Sequence, residues 1–253
     1  MVFVYTVLFF IFTTILKTIL SKDLAYKCYE LDWFPKLWFV IYQDYSCCVI
    51  LLTFIGFDVM VQTLLILLKL QFMMLNKKLR DVFTFEDTQK ANKIDVYTRL
   101  IECVKHQNFL IDFIERFKTT FSLTFLLYIG NIIVSMCLSV YLVLSGNANL
   151  NLQIEAIVHT MSGLNEIFLC YSIPAQLLMD EAAKVTKSIY LSNWYEYPKY
   201  AKDVLPIMIR NQKPLTITAG GFVMIDLKMF MAACKTIVSY SMYLNTMTQI
   251  QQK

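Results

Sequence analysis

Long apolar runs alternate with charged stretches along this chain, and the run lengths set its first reading. A helix that crosses a bilayer needs about 20 mainly apolar residues. Five segments approach or exceed that length, at about 1–19, 46–72, 118–145, 154–179 and 219–250. Between them lie polar stretches at about 20–44, 76–118 and 180–217. The spacing predicts an all-α membrane protein: one domain over 1–253, a bundle of transmembrane helices with long helices reaching into the cytoplasm. The first run has no basic residue before it and no small-residue cleavage site, so it is read as a span, shortened at its start, and not a signal peptide. In 76–118, Leu100, Val104, Phe109, Phe113 and Phe117 recur at steps of about four, so the third span is expected to continue inward as an amphipathic helix. Thr84 to Asn92 is the expected break before it.

The polar positions inside the apolar runs come next, because lipid tolerates them poorly. Asp58 lies deep in the second run, so it should face a helix neighbour or water, or carry its proton. Glu155 and His159 share one face near the start of the fourth, and Asn165 and Glu166 lie mid-span. A mid-span carboxylate points to a cavity or another helix, so His159, Asn165 and Glu166 are the tentative ligand-pocket residues. Pro174 is expected to kink that span. In the last run, Thr236, Ser239, Tyr240, Tyr243 and Thr246 fall at steps of three and four on one face. That face either lines a pore, with Ser239, Tyr243, Thr246 and Met247 as its pore and gate residues, or its hydroxyls bond to neighbouring helices and backbone carbonyls. Gly220-Gly221 marks either a helix-starting turn or a hinge.

Composition agrees with a membrane class: 57% of residues are hydrophobic and 17% charged, with few Gly or Pro. The net charge of +4, with no basic patch interleaved with aromatics, gives no nucleic-acid reading. Lys and Arg set orientation. There are nine in 76–118, six in 180–217, four in 17–44 and none in 146–151. The two richer stretches are therefore expected inside, and the 20–44 loop, the short turn and the C-terminus outside. Seven scattered cysteines show no metal spacing. Free thiols are expected, with Cys28 to Cys47 or Cys48 the pairing left open. No nucleophile elbow, phosphate loop, dinucleotide fingerprint or zinc motif occurs, so no enzyme, cofactor, metal or catalytic residue is expected. His106, between Lys105 and Gln107, is read as part of a solvated helix face.

The C-terminal stretch also carries a resemblance. Gln212-Lys213-Pro214-Leu215, Thr218-Ala219-Gly220, then Phe222, Ile225, Leu227 and Phe230, then Ser239-Tyr240-Ser241 resemble the end of insect odorant receptors. Upstream, Trp33-Phe34-Pro35, Tyr42-Gln43, Asp58 and Ser192-Asn193-Trp194-Tyr195 fit in the same order. The resemblance implies the family's inverted topology, with the five runs matching its third to seventh spans and the first two absent. It implies a ligand-specific subunit of an odorant-gated, non-selective cation channel in the plasma membrane of olfactory neurons. The partners would be the shared co-receptor in a heterotetramer, a small volatile organic ligand and membrane lipid. The alternatives are a gustatory-type receptor, whose C-terminal Thr-Tyr…Gln-Phe signature is missing here, and a truncated receptor that does not function. A transporter would show matched broken helices, and none is visible.

Overall fold

The structure is a computed structural model that describes residues 36–83, 93–146, 149–196, 199 and 201–251. The expected first span, the loop motif Trp33-Phe34-Pro35, Cys28 and the 84–92 break lie outside the described residues. Helix dominates. The helices are α1 (Lys36–Asp81), α2 (Lys93–Leu144), α3 (Leu150–Asn165), α4 (Ile173–Tyr190), α5 (Ala201–Arg210) and α6 (Leu227–Gln251). A π-helical turn (Glu166–Ser172) joins α3 to α4, and a short antiparallel hairpin, β1 (Thr218–Ala219) and β2 (Val223–Met224), precedes α6. Two described helices are long and apolar enough to cross a membrane, over Cys48–Asp81 and Val96–Leu144. α6 has 25 residues, about 37 Å of helix, but Lys228, Lys235, Asn245 and several hydroxyls interrupt its apolar surface.

The chain divides into two compact units at Val61. In the first, the described part is the N-terminal half of α1. Its early aromatics Trp38, Tyr42 and Tyr45 are exposed, whereas Asp58 and Val61 are buried. The second unit, from Gln62 onward, is organised around α2, which packs against α6, α3 and β1. Met136 and Cys137 of α2, Ile167 of the π-turn and Ile237 of α6 form one buried cluster. Phe117, Phe121 and Phe125 run along α2 to meet Tyr171 of the π-turn.

Two local expectations need correction. The buried stripe of α2 is Val96, Leu100, Cys103, Gln107, Leu110, Ile114 and Phe117. Uniform steps of four drift around a helix of 3.6 residues per turn, so Phe109 emerges exposed while Gln107, a polar residue, sits in the stripe. Pro174, where a kink is expected, directly follows a π-turn of seven residues ending at Ser172 and the residue Ile173; both features are common sites of helix bending. The second correction is the start of the last helix, which begins at Leu227 and not near 219. Gly220 and Gly221 adopt positive φ of 62° and 80° in the hairpin turn, a conformation that favours glycine.

Candidate functional site

α6 is fixed at its start by two devices. Asp226 caps it: its carboxylate accepts the Met229 backbone N–H at 2.7 Å, as helix N-terminal acids commonly do. The hairpin before it is tied to α2, where the Gly220 N–H donates to the Ser122 carbonyl at 2.8 Å. A Cβ at Gly220 would stand 2.7 Å from Leu126 Cδ2, so only glycine allows both the positive φ and this approach.

Along its length α6 has two unlike faces. Ala233, Ile237 and Ser241 are buried. The Ser241 hydroxyl bridges the Cys137 carbonyl of α2 at 2.9 Å and the Ile237 carbonyl at 2.7 Å. Tyr141 of α2 meets the Thr248 hydroxyl at 3.0 Å. Ser239, Tyr243, Thr246 and Met247 all lie on the exposed side. Thr236 and Thr246 donate to carbonyls of their own helix. That leaves their carbonyl-bonded hydroxyls still on the open face.

Two polar residues of the fourth apolar run, exposed His159 and half-buried Glu166, face α2. His159 Nδ1 lies 3.0 Å from the Ser139 hydroxyl. Seven residues on, the Tyr128 hydroxyl donates to the Glu166 carboxylate at 2.5 Å. Seven is close to two helical turns, so His159 and Glu166 share one side, and half-buried Asn165 lies next to Glu166. Gly163 lets the helices approach here: an added Cβ would stand 2.8 Å from Met136 Sδ. The π-turn also stacks Phe168 on Phe230 of α6, with ring centroids 4.9 Å apart. One turn thus touches both α2 and α6. Asp58 belongs to the first unit and is buried there.

The other end of the second unit is held by amides and charges. Asn76 donates to the Glu181 carbonyl at 2.9 Å and to its carboxylate at 3.1 Å, and Lys184 pairs with Glu181 at 2.7 Å. Burial alone would raise the Glu181 pKa, but the bonds from Lys184 and Asn76 and the charges of Lys184 and Lys69 outweigh it and hold it below the usual carboxylate value. Gln107 donates to Asn211 at 2.8 Å, and Arg210 bonds Asn108. His106 reaches Gln71 at 3.1 Å, so it is less solvated than its neighbours suggest. A cavity of about 300 Å³ lies here, lined by Lys77, Lys78, Asp81, Arg99 and Glu102 with Val82 and Cys103. Three cations and two carboxylates suit a charged solute better than a volatile one.

Tyr128, Asp226, Ser241 and Gly163 escaped the sequence reading as site residues. Asp226 had a signal, an acid inside the last apolar run directly before the residues that form the helix. Ser241 sits in the Ser-Tyr-Ser motif but off the polar stripe. Tyr128 and Gly163 had none, because their partners lie on other helices.

Comparison with known proteins fits this arrangement. The family model described as 7tm Odorant receptor matches residues 1–238. Over 64 residues the chain is 36% identical to Odorant receptor 49a of Drosophila melanogaster, a stretch covering 25% of this chain and 16% of that protein. The olfactory receptor OR5 of Machilis hrabei, solved in complex with eugenol, superposes with a TM-score of 0.75 at 15% identity, over 97% of this chain and 68% of that one. A second structure of the same receptor gives 0.69 at 15% identity, over 96% and 66%. The chain therefore spans about two thirds of the length of that receptor, and its matched stretch about one sixth of the fly relative. At such identity the superposition establishes the fold, a transmembrane helical bundle. The family model, matched over most of the sequence, establishes more: this chain belongs to the 7tm odorant receptor family, a family of membrane receptors and not of enzymes.

Proposed function

We propose that the chain is the ligand-specific subunit of an odorant-gated, non-selective cation channel that works with a shared co-receptor in olfactory neurons. α6 lines the pore through Ser239, Tyr243, Thr246 and Met247, with Tyr243 and Met247 as the gate. The volatile ligand sits near His159, Asn165 and Glu166. The spans are those at about 1–19, 46–72, 118–145, 154–179 and 219–250, with 76–118 and 180–217 inside and the C-terminus outside, as the positive-inside rule directs. Ligand binding favours one of two packings of the bundle, and α6 dilates.

The observation that supports this reading most is the division of α6. Its buried stripe packs against α2 and the π-turn, so the hydroxyl-bearing sector of its exposed side is left for water or another subunit. In a bilayer such a face is unfavourable toward lipid. Co-expression with the co-receptor tests it. Tyr243→Ala is expected to change ion permeability or leave a standing current without odour. Unchanged permeability and gating, with normal delivery to the cell surface, would sink the pore assignment.

A further inference from the structure

The exposed side of α6 carries more than hydroxyls. At 100° per residue, Ser239 lies opposite the stripe of Ala233, Ile237 and Ser241. Lys235 is four residues before Ser239, and Lys228 seven before that. Both fall on the Ser239 side, and both are exposed. Neither makes an ion pair among the described residues. A lysine one turn from the proposed pore residue Ser239, on a spanning helix, is costly against lipid and tolerable against water.

We propose that Lys235, assisted by Lys228, sets the ion preference of the pore: it holds a fixed positive charge on the inner part of the path that Ser239 and Tyr243 continue outward. The inference rests on the channel reading above and adds a residue that determines selectivity. A fixed cation on the wall of a narrow aqueous path repels mobile cations, and its low-dielectric surroundings strengthen the field. The repulsion scales with the charge of the passing ion, so calcium is disfavoured more than sodium or potassium. The subunit therefore biases an otherwise non-selective pore toward monovalent cations. α6 starts at Leu227, on the side read as inside, so the lysines lie on the inner part of the helix and the tyrosine and methionine of the gate on the outer.

The test is the calcium-to-sodium permeability ratio, from reversal potentials of currents evoked by a volatile panel in cells that also express the co-receptor. Lys235→Glu is expected to raise the ratio about threefold or more, Lys235→Gln by less, and Lys235→Arg to leave it at the wild-type value. Because Lys235 is exposed and makes no fold contact of its own, these variants should reach the surface normally. If Lys235→Glu and Lys235→Gln keep the wild-type ratio while Tyr243→Ala alters permeation, the lysine proposal falls and the pore assignment stands. If neither position affects permeation, both fall. A ligand-free measurement decides the question if no volatile in the panel opens the channel. Lys235→Cys in intact membranes should react quickly with a charged, water-soluble thiol reagent, and resistance to it would overturn the proposal.

Discussion

The two ends of the second unit hold their helices together by different chemistry. At the end read as cytoplasmic, chain segments meet through Asn76, Glu181, Gln107 and Asn211, by amides and a carboxylate. In the half that holds the buried cluster, they meet through a glycine, a serine hydroxyl on a backbone carbonyl and stacked aromatic rings. Where water is at hand, charged groups gain from pairing at modest cost. Where lipid surrounds the helices, there is no hydrophobic drive for helix to meet helix, so close packing of small residues and hydroxyl bonds take over. The same contrast recurs in α6, where Ala233, Ile237 and Ser241 are buried and a sector bearing lysines and hydroxyls is left open.

That contrast can be broken on either side. The largest effect is expected from Gly163→Leu, whose side chain has no room beside Met136 Sδ at 2.8 Å and Ile132 Cγ2 at 3.3 Å. A loss of about 2–3 kcal/mol is expected, seen as a lower melting temperature of the detergent-solubilised receptor; an unchanged melt would mean α3 and α2 do not pack as described. Ser241→Ala removes the hydroxyl bridge to α2 and should cost about 1 kcal/mol, in the same assay. At the polar end the sensitive variable is pH. Glu181 titrates lower in the folded chain than its ordinary value. Its contribution is therefore fully present above the ordinary carboxylate pKa and is lost as pH falls through the depressed folded value. The acid limb of stability should be shallower in Glu181→Gln. Equal acid limbs in variant and wild type would mean the pairing with Lys184 and Asn76 is not made.

The helices were legible where period and length agreed. The run at 46–72 falls inside α1, that at 118–145 ends one residue past α2, and the inward continuation of α2 was visible in its periodicity. The exact stripe was not, because Gln107 is buried through Asn211, a partner 104 residues away. The hairpin before α6 was hidden inside an apolar stretch, where two glycines and Asp226 matter more than hydropathy. His159, Asn165 and Glu166 stood out because carboxylates, amides and imidazoles are conspicuous in apolar runs. Tyr128 did not, since a tyrosine in such a run is ordinary until a carboxylate from another helix comes within bonding distance.

The central claim is that α6 has one packed face and one wetted face. The direct measurement is the rate at which single cysteines at Ser239 and Ser241 react with a charged, water-soluble thiol reagent in intact cell membranes. The account predicts fast modification of Ser239→Cys and little or none of Ser241→Cys. Equal rates, or faster modification at Ser241→Cys, would contradict it.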